Sequence, residues 1–199
     1  MVLKFEFEKG LKLFLSPLTE SKIGFLYQEV ARPARLINVP QHKIRELNES
    51  DVTWIYEACQ DEQIQYWTTI PKPYLLEHAQ AFVKGEFPEY KIWAIENENK
   101  EPVGVISIHT VDDQGDADLG YWISPKGRGR GATKDAINLV ENFAQSDSKI
   151  KSLIACISDQ NIFSQKAAEA AGLKRSEVAN KTCPAGCSQT SATVYRKAL

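Results

Sequence analysis

Between Pro125 and Ala132 the chain reads Lys126-Gly-Arg-Gly-Arg-Gly131, and beyond it Ala132, Ala136, Ile137, Val140, Phe143 and Ala144 recur at helical spacing. A helix N-terminus carries unpaired N–H groups and about half a positive charge, so a glycine loop that lets an anion approach it makes a phosphate cradle. Gly127, Gly129 and Gly131 clear side chains from that approach, while Lys126, Arg128 and Arg130 add local charge. The spacing is not that of a P-loop, because Gly131 is followed by Ala132 and Thr133 rather than Lys and Ser or Thr. It also misses the dinucleotide fingerprint G-x-G-x-x-G, which in addition would open the fold. An arginine-glycine tract that binds nucleic acid would lie in a repetitive, disordered segment, not between a strand and an amphipathic helix.

The remaining chemistry-bearing residues are dispersed. Cys183 and Cys187 are spaced Cys-x3-Cys with no second close pair, and His42, His78 and His109 lie far apart, so no metal set is expected. The Cys183–Cys187 stretch reads as a hairpin loop, with a disulfide left open. No G-x-S-x-G elbow and no suitable Cys and His arrangement suggests a covalent enzyme intermediate. Lys and Arg number 24 and Asp and Glu 26, a net charge of −2, which leaves no bulk field for nucleic acid or an anionic membrane. Neither is expected as a partner.

A chain of 199 residues, 43% hydrophobic and 25% charged, can bury the core of one domain with an appendage. Four scattered cysteines point to a reducing compartment. The most apolar early stretch, Leu11 to Leu15, is short and interrupted by Lys12, and nothing approaches a membrane span of about 18 apolar residues. A cytoplasmic location is expected.

The elements that would position the loop follow from periodicity. Residues 3 to 15 alternate about Lys9-Gly10 as a hairpin, and residues 18 to 27 find a single echo at 47 to 56 that reads as shared capping chemistry. Residues 1–40 are expected to form an appendage of hairpin, helix and linker, and 41–199 the main domain. There, 42–47 reads as a strand, 51–60 as a helix, 66–74 as a proline-broken loop and 75–84 as a helix. Strands follow at 91–96, 102–110 and 117–124, a meander leading into the glycine loop and its helix. A strand at 151–157, an alanine-rich helix at 162–171 stopped by Gly172, and a terminal hairpin of 173–179 with 192–197 complete the reading. Strand, helix, strand, helix implies one parallel pairing in an otherwise antiparallel sheet.

The pattern Arg128-x-x-Gly131-x-Thr133, preceded by Leu119-Gly-Tyr-Trp-Ile-Ser-Pro125 and followed by Asn161-x-x-Ser164 and Ala171-Gly-Leu173, resembles the GNAT acyl-CoA N-acyltransferase superfamily. Within it the chain is similar to the ribosomal-protein N-terminal acetyltransferases of RimJ and RimL type, over roughly His42 to Leu199. The resemblance implies an α/β (α+β) fold with a mixed, mainly antiparallel sheet flanked by helices. It also implies acetyl-CoA as cosubstrate, no metal, and acetyl transfer to a primary amine. A protein N-terminal α-amine is the first acceptor expected. A small amine such as an amino acid, polyamine or antibiotic is the second, and a non-catalytic acyl-CoA-binding module is the reading from another class. The appendage could lend a strand to a second copy, giving a homodimer.

Residue by residue, the resemblance implies that main-chain amides of Arg128, Gly129, Arg130, Gly131, Ala132 and Thr133 hold the coenzyme A pyrophosphate, with Arg128 and Arg130 adding charge. The strand ending at Ile123 would part from its neighbour, leaving an N–H near Ile123 to polarise the thioester. Asn161 would approach the coenzyme arm or simply cap its helix. Ser164 would give a proton to the leaving thiolate. Many relatives place a tyrosine acid where this chain has Ala168. For the amine, Asp118 is one candidate base, or a solvated strand-edge carboxylate; His109 is a second, or a structural histidine. Deprotonating an α-amine of pKa near 8 at pH 7 costs about 1.4 kcal/mol, against about 4.6 for lysine, so an N-terminal acceptor demands little of either. Trp67 and Tyr74 would border the acceptor, or pack between helices. Tyr121 and Trp122 read as core.

Overall fold

The computed structural model describes residues 40–176 and 181–199, so the expected appendage, with its hairpin at 3–15, lies outside the described residues. Strand β1 (Lys43–Arg45) opens the sheet, and a 3-10 turn at Glu49–Asp51 leads into α1 (Val52–Ala58). Asp51 is the knot at this corner: buried at 1% exposure, it takes two hydrogen bonds from the Arg45 guanidinium at 2.7 Å and one from Trp54 Nε1 at 2.6 Å. Helices α2 (Glu62–Trp67) and α3 (Leu76–Val83) follow. The first of these corrects the loop expected from Tyr66: Asp61 caps the N–H of Ile64 at 3.0 Å and Ile64 is buried, so a turn of helix forms ahead of the prolines.

The meander is β2 (Lys91–Glu96), β3 (Pro102–Val111) and β4 (Asp116–Ile123), all antiparallel. After a 3-10 turn at Pro125–Gly127 comes α4 (Ala132–Ser146), whose Ala132, Ala136, Ile137, Val140 and Ala144 are buried as the spacing predicts. Then follow β5 (Ser152–Ser158) and α5 (Ile162–Ala170). Helix α5 ends on Gly172 at φ +89°, with Gly172 N–H to Glu169 O at 2.9 Å and Leu173 N–H to Ala168 O at 3.0 Å.

The C-terminal hairpin differs from expectation. Strand β6 (Lys174–Arg175) is a two-residue pairing against β8 (Ser188–Ala198), and the hairpin partner of β8 is β7 (Lys181–Ala185). Cys183 therefore lies in a strand and Cys187 in the turn, rather than both in a loop. Pro184 is tolerated because β7 pairs with β8 alone.

The sheet order is β1-β2-β3-β4-β5-β8-β6 with β7 also on β8, a mixed sheet in which only β4 and β5 are parallel. The main core, including Ile106, Ile108, Leu119, Ile137, Val140, Leu153 and Tyr195, fills the side covered by α4 and α5, and Phe143 meets Trp93 edge-on at 5.0 Å. A smaller cluster of Ile55, Cys59, Ile64, Tyr74 and Ala79 gathers α1, α2 and α3 against Trp122. Leu153 is fully buried at the centre of the larger core, so Leu153→Ala should cost about 2–5 kcal/mol of unfolding free energy, measured as a lower urea midpoint at unchanged slope.

Candidate active site

Strand β4 is built to serve both its faces and one of its edges. Ala117 and Leu119 point into the main core, with Tyr121 and Ile123 packed against it, while Trp122 joins the smaller cluster opposite. Its ladder with β5 holds only from Asp116–Ser152 to Asp118–Ile154 and then stops. Ser124 N–H donates to Val103 O at 2.8 Å, and this sets the alternation along the strand: Tyr121 and Ile123 turn their main-chain groups away from β3, toward the gap. The expected parting of the strand is present.

A cavity of 680 Å³ opens around this gap. Of the residues expected to act, Trp67, Tyr74, His109, Asp118, Asn161 and Ser164 all line it. The Ser164 hydroxyl lies 2.9 Å from the Tyr121 hydroxyl, and burial pushes the Tyr121 phenol up to about 12, so Tyr121 holds its proton near neutrality. Asn161 accepts from Ser164 N–H at 3.1 Å, the helix-cap role that was one of its two readings. Trp67 lies on α2, half-buried, with Nε1 3.3 Å from Gln63 Oε1. Tyr74 is 5% exposed and belongs to the smaller core while its surface closes the cavity.

On the other face of β4 the pairing with β3 is interrupted between Ile108 and Val111, and His109 stands in that irregularity. Its Nδ1 is 2.5 Å from Glu89 Oε2, which fixes the ring and leaves Nε2 over Gly120. A Cβ on Gly120 would meet Nε2 at 1.9 Å, so glycine is required there by close approach. The carboxylate of Glu89 raises the His109 pKa against the effect of burial, with Asp118 adding to it. Burial raises the Asp118 carboxyl, opposed by the positive charges of His109 and Lys181. The cavity thus brings His109 together with the carboxylates of Glu89 and Asp118. Glu89 and Tyr121 are functional candidates that sequence reading missed or placed in the core. No local signal marks Glu89, whose partner is twenty residues away.

The glycine loop lies outside the cavity lining. Gly129 and Gly131 adopt φ of +73° and +79°, and Gly131 precedes α4 with no side chain capping the helix. Ala132 is buried, Thr133 half-buried, and Arg130 and Lys126 are exposed. Arg128 is not free: its Nε donates to Ile123 O at 3.1 Å and its guanidinium pairs with Asp61, the residue that caps α2. It ties the loop to the helical side of the cavity. Ser124, at the end of β4, buries a hydroxyl that has no partner among the described residues. Among the described residues no three His, Cys, Asp or Glu gather as a metal set, and no helix is long and apolar enough to cross a membrane.

The contact between His109 and Glu89 has a pH signature. Because the folded state raises the His109 pKa, this contact stabilises fully below the unfolded value of about 6.5, and its contribution is lost as pH rises through the folded pKa. Melting temperature measured from pH 6 to 9 should show that decline in the wild type and lack it in His109→Gln. Gly120→Ala, which must push the ring aside, should bring the titration of His109 in NMR spectra back toward an ordinary histidine.

The model of the acetyltransferase (GNAT) domain matches residues 42–174 of the chain. No curated protein matches it in sequence. Among solved structures it is similar to RimL, the ribosomal L7/L12 alpha-N-protein acetyltransferase in complex with coenzyme A, with a TM-score of 0.70 and 16% identity over 80% of this chain and 94% of that one. Spermidine N-acetyltransferase from Vibrio cholerae, in complex with CoA and spermine, superimposes with a TM-score of 0.65 and 16% identity over 79% of this chain and 95% of that one. For AAC(6')-Ib in complex with ribostamycin and coenzyme A the values are 0.64 and 15%, over 79% and 93%. These likenesses are of fold, and together with the match across two thirds of the sequence they show that the chain belongs to the GNAT family of acetyltransferases.

Proposed function

We propose that this acetyltransferase moves an acetyl group from acetyl-CoA directly to a primary amine, most naturally the α-amine of a protein N-terminus. The observation that carries the reading is the parting of β4 from β5 beside an uncapped α4, with Asp118 and His109 reaching the same cavity as Ser164. The residues fit the cosubstrate: the open N-terminus of α4, the main chain of 128–133 and the exposed Lys126 and Arg130 would take its phosphates, and the N–H groups of Tyr121 and Ile123 its extended arm. When bound, acetyl-CoA supplies an acyl group activated as a thioester.

The chain's own residues then manage protons. Asp118 or His109 Nε2 accepts the proton that the attacking amine must lose, and Glu89 holds His109 in the tautomer whose Nε2 is free to accept. Ser164 Oγ donates to the departing sulfur, with the Tyr121 hydroxyl behind it to restore the proton. Ala168, fully buried, takes no part.

The same lining bears on the acceptor. Its acids are Asp118 and Glu89; Glu89 is already engaged by His109 and Asp118 feels the charge of Lys181, so the site offers little net negative charge to a cation. That suits a single ammonium with apolar neighbours near Trp67, Phe82 and Phe87 better than a polycation. A small amine is the second reading, favoured by a cavity volume within the roughly 300–1,000 Å³ usual for small ligands. Four free cysteines accord with a reducing, cytoplasmic setting.

Calorimetry with coenzyme A should show binding to the wild type and at least about tenfold weaker binding to Gly131→Val, since a β-branched residue strains φ +79° where the helix must remain open. In a thiol-release assay, N-terminal peptides should turn over and a panel of polyamines and aminoglycosides should not. A reactive small amine beside inert peptides would reverse the choice of acceptor. Ser164→Ala should lower kcat about 100-fold or more with little change in coenzyme affinity, and equal turnover by this variant would remove Ser164 from the mechanism.

A further inference from the structure

Acetyl transfer makes no use of the two thiols in the cavity wall. Cys156 lies on β5 and Cys183 on β7, strands that both pair with β8, where their partners are Val194 and Thr190. Between these two strands the Cys183 thiol donates to Cys156 Sγ at 3.0 Å and meets Cys156 O at 3.2 Å. Both side chains are partly exposed and line the 680 Å³ cavity, so a small molecule entering the cavity reaches them. The other two cysteines differ: Cys59 is sealed in the smaller core, and Cys187 stands on the exposed turn. The nearness of Cys183 to Cys187 in sequence is thus not the pairing the fold makes.

We propose that Cys156 and Cys183 form a thiol–disulfide exchange site in the wall of the cavity, taking a low-molecular-weight disulfide as oxidant and closing to a reversible intramolecular disulfide. The Cys156 thiolate attacks one sulfur of the small disulfide, forming a mixed disulfide and expelling one small thiolate, which takes up a proton. Deprotonated Cys183 then attacks Cys156 Sγ and expels the second half of the oxidant as thiol. Two protein thiols and one small disulfide become one protein disulfide and two small thiols, so two electrons pass from the protein to the oxidant. A small thiol reverses both steps.

The direction of attack follows from the surroundings. The hydrogen bond from Cys183 lowers the Cys156 pKa, with Lys181 adding to the effect, while burial, Asp118 and Asp159 oppose it. Cys183, which gives that hydrogen bond, has its own pKa raised, so it is the resolving thiol. Both strands are already held by β8, and the sulfurs need close only about 1 Å to reach bonding distance, so the bridge asks little of the backbone.

The test uses the full reduced chain and oxidised glutathione as probe, with peptide mapping by mass spectrometry after alkylation. The expected product links the Cys156 and Cys183 peptides, lacks the mass of two hydrogens, and returns to thiols with reduced glutathione. Cys187 should carry only a glutathione adduct. The linked form should melt roughly 5 °C or more above the reduced form. Cys183→Ser, unable to resolve, should accumulate a glutathione adduct on Cys156. If Cys187 becomes fully modified while the wild type yields no Cys156–Cys183 link, or if Cys183 links to Cys187 instead, the site does not exist. Because the readout is a covalent bond in the wild-type chain, it stands or falls independently of acetyl transfer.

Discussion

The structure turns on a single divergence. Two parallel strands, β4 and β5, stay in register for three residue pairs and then part, because each is claimed more strongly by its other neighbour. Strand β4 is paired along most of its length with β3, and β5 is paired through all of Ser152 to Ser158 with β8. Neither can follow the other without giving up a long antiparallel ladder. An opened sheet leaves main-chain donors and acceptors without protein partners, a cost of about 1–3 kcal/mol for each group if it stayed dry. A bound extended arm that supplies those hydrogen bonds therefore gains affinity from the fold's own deficit.

Around that opening, charge is placed with economy. The Arg128 guanidinium, which the loop's composition would assign to phosphate, is spent on Asp61 and braces the loop against α2. What remains for an anion is the main chain of an uncapped helix of 15 residues entered through Gly131, with the exposed Lys126 and Arg130 beside it. In the cavity, Glu89 and Asp118 raise the His109 pKa, while the positive charges of His109 and Lys181 oppose the rise that burial gives Asp118. Gly120 keeps His109 close on one face of β4, and Tyr121 meets Ser164 on the other.

One side of the cavity is bordered by pieces of chain that are far apart in sequence. Gly186 N–H donates to Tyr66 O at 2.8 Å, and Lys72 Nζ donates to Gly186 O at 2.9 Å, so the β7–β8 turn is latched to α2 and the proline segment. The similar structures include acetyltransferases of a ribosomal protein, of spermidine and an aminoglycoside-bound enzyme, all on the same sheet. The latch joins two segments whose neighbouring residues, Trp67 to Pro71 on one and Cys183 and Pro184 on the other, line the cavity.

Local physics made much of this chain legible in advance. The glycine loop, the amphipathic face of α4, the meander and the Gly172 stop all depend on neighbours within a few residues, and each was found where spacing put it. Asp118 and Ser164, named through the resemblance rather than from periodicity, line one cavity. Helix α2 was missed because one capping aspartate and one buried isoleucine are weak signals beside two prolines. What tertiary structure alone decided are the partnerships across the sheet: Glu89 with His109, Tyr121 with Ser164, Arg128 with Asp61, and Cys183 with Cys156 rather than Cys187. Sequence order carries no information about which side chains meet when strands from distant segments pair, and hydrogen bonds and thiol contacts act only over the few ångströms that such pairing creates.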